Sequence, residues 1–298
     1  MKSKLIAHCA LLLGALVFCG TAGAVRAEPI LHHVHGLAFT ADGKSLMVPA
    51  HIGLAVYRDG RWTKASGPAH DFMGFSLAEK AIYTSGHPAP GSALRNPLGL
   101  IKSSDGGATW QQLGLSGESD FHVMAAGYRS NAIYVVNPEP NSRMRQPGIH
   151  FTQDDGKSWT RAAAAGLSGR ITSIAVHPSD PGRVAAGTLD GLFISRDSGA
   201  SFKREGSATP VTAVTFDLDG KRIYFAPGEG AILQRAALDG KGDTKLSLPK
   251  LDGDFVVYIA QSPAKPDNLA IATRSRHVFL TTNGGKTWKQ IARAGESL

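Results

Sequence analysis

Four stretches of the chain share the pattern Ser/Thr-x-Asp/Asn-x-Gly-x-Ser/Thr-aromatic: residues 103–110 (SSDGGATW), 152–159 (TQDDGKSW), 195–202 (SRDSGASF) and 281–288 (TTNGGKTW). The physical content of the pattern is a stapled turn. The Asp or Asn side chain can bond the backbone of a tight turn, Gly supplies a positive φ, and the aromatic pins the turn onto a sheet. Asp105 and Asp154 are 49 residues apart, Asp154 and Asp197 are 43 apart, and Asp197 and Asn283 are 86 apart, twice 43. That last gap leaves room for a degenerate copy near Asp239, and residues 58–62 (RDGRW) form another, 46 residues before Asp105. Six units of 43 to 49 residues result. Within a unit, short β-prone runs such as 171–176, 183–187, 191–195 and 201–205 are separated by Gly, Pro, Asn and Asp. Four short antiparallel strands per repeat at this period predict an all-β fold, a six-bladed β-propeller. With 42% hydrophobic residues in 298, a sizeable core is available and a wholly disordered chain is excluded.

The first 27 residues read as a secretory signal peptide: Lys2 and Lys4, an apolar run over residues 5–20, then small residues ending at Ala27. Cleavage is expected after Ala27, with Ala24 the alternative. Residues 28–298 then form one propeller domain, periplasmic or secreted. The apolar run is short for a membrane span of about 20 residues, so no stable span is expected after cleavage. Both cysteines, Cys9 and Cys19, lie inside this segment. The mature chain therefore carries no disulfide, thiolate nucleophile or Cys-based zinc site. Losing Lys2, Lys4 and Arg26 lowers the net charge from +8 to +5, with no Lys/Arg run, so no nucleic-acid partner is indicated.

The turn motif and its period resemble the Asp-box, or BNR-repeat, propellers over essentially the whole mature chain. Residues 33–37 (HVHGL), 71–75 (DFMGF), 85–88 (SGHP) and 120–122 (DFH) resemble a bacterial exported subgroup often labelled glycosyl hydrolase. More distantly, the chain is similar to sialidases and to photosystem assembly factors of the Ycf48 type. The resemblance implies the fold; chemistry must be argued from the site.

Aligning the inner strand of each unit brings His35, Met73, His122, Thr172, Thr212 and Val257 into one ring. Two residues earlier stand His33, Asp71, Asp120, Arg170, Pro210 and Phe255. Period-2 alternation places the two rings on one side. His51 and His87 end second strands and are expected beside them, at the end of the axis away from the repeat turns. Imidazole with carboxylate and a thioether suits a transition metal ion, copper ahead of zinc. The expected ligands are His33, His35, His51, His87, His122 and Asp71, with His70, Met73, Asp120 and Arg170 as further site residues. His177 and His277 are expected to be structural or exposed, and His150 to lie in a third strand.

Two other functions fit the same residues. Asp71 and Asp120 could flank a glycosidic bond, since two carboxyls are the minimum set for most such hydrolases. The Arg-Ile-Pro motif of sialidases does not occur in the chain. Alternatively, residues 88–97 and 137–147 form a rim for a periplasmic protein or a glycan, with no chemistry.

Overall fold

The computed structural model describes residues 30–298; the expected signal segment, residues 1–27, lies outside the described residues. Six antiparallel sheets follow one another along the chain, spanning 38–64, 71–114, 124–161, 171–205, 211–247 and 256–297. Five have four strands and the last has five. Each sheet uses consecutive strands, and neighbouring sheets meet through their first strands. The protein is a six-bladed β-propeller, and no helix occurs among the described residues.

Sequence accounts for the layering of each blade. Second strands such as Leu46–Ala50, Val184–Thr188 and Leu269–Thr273 are buried at every position. They read as short continuous apolar runs because neighbouring blades cover both faces. Fourth strands such as Arg61–Lys64 and Lys203–Glu205 are mostly polar and exposed. Around the axis, residues including Phe39, Phe75, Met124, Phe216, Thr215 and Gln261 line a cavity of about 150 Å³.

The inner strands of blades two, four, five and six each carry a bulge at their start, between Phe72 and Phe75, Ile171 and Ser173, Val211 and Ala213, and Val256 and Tyr258. An extra residue unpairs the ladder and shifts the alternation of faces. Thr172 and Thr212 are such residues. The Thr172 hydroxyl lies within hydrogen-bond reach of two carbonyls, that of Gly187 at 2.9 Å and that of Val211 in the next blade, which share its one hydrogen. That of Thr212 donates to the Ala226 carbonyl at 3.3 Å. The strict alternation assumed for the two rings therefore fails at the bulge.

The four repeat turns share one hydrogen-bond set. In blade four, Ser195 Oγ donates to Asp197 Oδ1 at 2.7 Å and accepts the Gly199 N–H at 2.8 Å, while Asp197 accepts the Ser201 N–H and hydroxyl. Ser103 and Thr152 repeat this with Asp105 and Asp154, and Thr281 with Asn283, except that Asn283 donates from Nδ2 to the Thr287 hydroxyl. Two successive residues have positive φ, and the second is Gly107, Gly156, Gly199 or Gly285. A Cβ on Gly199 would also lie 2.8 Å from the Ala162 Cβ of the preceding blade. The aromatics act between blades: Phe202 packs among Tyr134, Ile149 and Ala162 of blade three, and Trp288 donates from Nε1 to the Ser247 carbonyl of blade five. Each staple thus joins its blade to the one before.

The ring closes by the same logic. Trp62 Nε1 donates to the Ile291 carbonyl at 2.8 Å, tying blade one to blade six. Fully buried Leu31 donates its N–H to the Gly295 carbonyl at 3.0 Å.

Candidate metal centre at the axis

The segment entering blade one carries His33 and His35, and the turn after Leu46–Ala50 carries His51. Gly36 lets the segment approach closely, since a Cβ there would sit 2.7 Å from the Phe75 Cβ. The ring centroids of His33 and His51 are 4.2 Å apart, those of His35 and His51 are 5.2 Å apart, and those of His33 and His35 are 5.6 Å apart. One nitrogen from each ring lies within 4.8 Å of the other two. Three converging imidazoles are the donor set of many transition-metal sites.

Asp71, the first residue of the inner strand Asp71–Ala78, sets the tautomer of His51. Its Oδ2 lies 2.6 Å from His51 Nδ1, so Nδ1 carries the hydrogen and Nε2 is left to act as a ligand. The Nε2 of His35 and the Oδ1 of Asp71 are both buried and have no hydrogen-bond partner among the described residues. Leaving such atoms unmade costs about 1–3 kcal/mol each, so their concentration at one point asks for a ligand. Burial, ahead of every charge, pushes the His35 imidazole down to about 4. His33 is also lowered, first by burial, then by His51, Arg276 and Arg274. Arg276 is fixed there by donating from Nη1 to the His32 carbonyl at 2.9 Å.

His87 and His122 belong to a second group. His87 ends the strand Ala81–His87 and pairs with Asp71 across the sheet, but its Nε2 faces Asp120 Oδ2 at 3.3 Å. His122 Nε2 lies 2.7 Å from the same oxygen, and this hydrogen bond raises the His122 imidazole. The Asp120 Oδ1 is buried without a partner among the described residues. Backbone contacts hold blades two and three in register here: Ser85 Oγ accepts the Phe121 N–H at 3.0 Å, and Gly74 donates to the Phe121 carbonyl at 2.9 Å.

The remaining expected residues fall elsewhere. His70 is buried beside Phe72, and its Nδ1 accepts the Ala89 N–H at 2.9 Å, pinning the loop 88–97. Met73 is buried in the bulged stretch of its strand. Arg170 is exposed, and its carbonyl accepts the Leu189 N–H. His177 holds Gly220 and the turn at Asp180, His277 holds Ala294, and His150 is buried in the third strand Gly148–Thr152. Asn96 escaped the sequence reading: its Oδ1 lies 2.7 Å from His87 Nδ1, in a loop with no periodic signal.

No protein-family model matches the chain. It is 29% identical over 176 residues to a xyloglucanase of Hypocrea jecorina (strain QM6a), a match covering 55% of this chain and 20% of that protein. It is 28% identical over 145 residues to the dispase autolysis-inducing protein of Streptomyces mobaraensis, covering 49% of this chain and 37% of that protein. The chain thus spans about a fifth and about a third of the length of these curated relatives. Among solved structures, the GH74 enzyme of Niastella koreensis matches at TM-score 0.58 and 14% identity, over 87% of this chain and 45% of that one. YCF48 from Cyanidioschyzon merolae matches at TM-score 0.50 and 16% identity, over 88% and 87%. At these identities the likeness is one of fold.

Proposed function

We propose that the protein is an exported propeller that binds one transition metal ion at the axis through His33, His35 and His51, with Asp71 orienting His51. The observation that carries this reading is the convergence of three imidazoles within 4.8 Å, one of them with a buried and unpartnered Nε2. An imidazole lowered to about 4 is neutral at pH 7 and needs no deprotonation to bind. Copper stands ahead of zinc because a nitrogen-rich site binds Cu²⁺ more tightly along the divalent series. Three protein ligands leave a position for water or an exogenous donor, the arrangement of catalytic rather than closed structural sites. Residues 1–27 serve as the cleaved signal.

Elemental analysis of protein purified without a polyhistidine tag, before and after chelation, tests the reading. Near-stoichiometric copper or zinc that disappears in His35→Ala and His51→Ala is expected. Unchanged metal content in both variants, or a wild-type protein that takes up neither ion, overturns it.

The match to the Hypocrea xyloglucanase favours a second reading, binding or hydrolysis of a glycan at the same end. Asp71 and Asp120 are the available carboxyl pair, yet each has one oxygen held by imidazole at 2.6–2.7 Å. Under this reading Asp71→Asn and Asp120→Asn abolish turnover of a xyloglucan oligosaccharide, and turnover persists in chelator.

A further inference from the structure

Beside the three histidines, blade six places two arginines whose charge the metal reading does not use. Residues 274–277 (RSRH) connect Leu269–Thr273 to Val278–Thr281, the same second-to-third-strand link that carries His51 in the adjoining blade one. The turn is held from several sides. Arg274 donates its N–H to the Phe255 carbonyl at 3.0 Å, Arg276 donates its own to the Thr273 carbonyl at 2.9 Å, and the Arg276 carbonyl accepts the Gly295 N–H at 3.0 Å. Asp254, the carboxylate of this corner, is engaged by the N–H groups of Phe255 and Ser275 at 2.9 and 3.1 Å. Arg276 has a φ of 65°, a left-handed backbone that costs a long side chain free energy. Its half-buried side chain crosses the seam between blades, and Nη1 donates to the His32 carbonyl at 2.9 Å.

That bond engages one of the five guanidinium N–H donors and sets the group one residue from His33. Arg274, two residues earlier, is exposed. Both charges reach His33: after burial and His51, Arg276 lowers its imidazole, Asp71 opposes this, and Arg274 adds to it. The carboxylates stand across the mouth, on the side of blades two and three, where Asp71 and Asp120 each turn one oxygen onto an imidazole at 2.6 and 2.7 Å. The mouth is thus polarised, with guanidinium on blade six. A guanidinium presents its N–H groups as a planar fork that fits two oxygens of a carboxylate or phosphate, a match that a water molecule or a neutral ligand does not make. We propose that blade six supplies an oxyanion site at this mouth: a small ligand bearing a carboxylate or a phosphate is held by Arg276 and Arg274, next to the position that the three histidines leave open. Its place beside a metal rests on the function proposed above, whereas its hold on the anion rests on the arginines.

Titration calorimetry of the untagged full chain with acetate, phosphate and neutral acetamide tests it, at low ionic strength because exposed charges are screened by salt. Wild type, Arg274→Gln and Arg276→Gln are compared, each metal-free and after loading with Cu²⁺. Copper-loaded wild type is expected to bind one equivalent of acetate or phosphate, the tighter of the two giving the class of ligand, and to ignore acetamide. Arg274→Gln should weaken the anion about 10-fold, the loss of one hydrogen bond to a charged group, with copper content unchanged. Arg276→Gln should weaken it at least as much. Should Arg276→Gln also lose copper, by releasing the segment at His32, Arg276→Lys replaces it: the charge and a donor return, the fork does not, and copper is expected to recover while anion affinity stays reduced. Equal anion affinity in all three copper-loaded forms, or acetamide bound as tightly as acetate, overturns the oxyanion site and leaves the metal reading intact. Arginine-dependent anion binding in a protein that takes up no copper supports the oxyanion site and overturns the metal reading. Uptake of neither copper nor anion overturns both.

Discussion

Blades one to three and blades four to six build the same end of the axis from the same strand plan, but they treat polar atoms differently. In blades four and five the bulge residues Thr172 and Thr212 turn their hydroxyls onto backbone carbonyls and are satisfied internally. In blades one to three the corresponding stretches carry His35, Asp71 and Asp120, each with a buried atom that no described residue bonds. The scaffold therefore does not require imidazoles or carboxylates at these places; a threonine serves it better. Buried atoms without a partner among the described residues also occur at Trp110, Trp159, Arg183 and Arg235, but at the axis they gather on imidazole and carboxylate groups of blades one to three, the mark of a site built for something brought from outside.

The largest effect expected from breaking this contrast is on the metal. Replacing His35 by Ala removes the orphan nitrogen together with the ligand, so ion affinity should fall by more than the roughly 10–100-fold lost with an outer partner. Stability of the metal-free protein should hold or rise, because an unsatisfied group leaves with it. Titration with Cu²⁺ and a melting curve of the metal-free form read the two halves of this prediction. A melting point that falls as far as the affinity would make His35 a structural residue like Thr172.

Asp71→Asn keeps the shape but weakens the acceptor that fixes His51, and a loss of about 10–100-fold in affinity is expected. The converse change belongs in blade four. Thr172→Val leaves metal uptake untouched and costs about 1 kcal/mol, the net value of a hydrogen bond, or roughly 2–4 °C in melting temperature. Measured side by side, the two variants separate function from scaffold at the starts of two inner strands.

The scaffold was more legible in the sequence than the site. Blade number followed from the repeat turn because its hydrogen bonds demand a fixed order: Ser195 to accept Gly199, Asp197 to hold Ser201, and Phe202 to reach blade three. The residues of the site could be listed, since His33, His35, His51, Asp71, His87, Asp120 and His122 all stand at strand ends of blades one to three. Their division into two groups could not. It depends on bulges that shift the faces of the inner strands and on Asn96, a loop residue whose role exists only through His87. The aromatic of each turn was expected to pin the turn onto a sheet; it packs on the preceding blade, a contact between units that one repeat cannot reveal, and Trp110 and Trp159 also meet Phe72 and Phe121 of their own blades.

The smallest expected effect compares the turns themselves and concerns acid. Asp105, Asp154 and Asp197 are held down to about 2, first by the hydroxyls of Thr109, Ser158 and Ser201, then by the backbone N–H of the same residues. A carboxyl lowered on folding stabilises fully above its ordinary value, near 3.8, and loses that contribution as pH falls through about 2. Asn283 fills the same place in blade six with an amide that does not titrate there, donating from Nδ2 to Thr287 and accepting the Thr287 N–H. Asp197→Asn should therefore copy blade six: a small loss of stability at pH 7 and a shallower decline between pH 4 and pH 2 in denaturant titrations. All three carboxyls are exposed, so the change is modest for any one turn and should grow when Asp105 and Asp154 are replaced as well. A triple variant with the same acid slope as wild type would mean that the carboxylate charge contributes nothing beyond what the amide of Asn283 already provides.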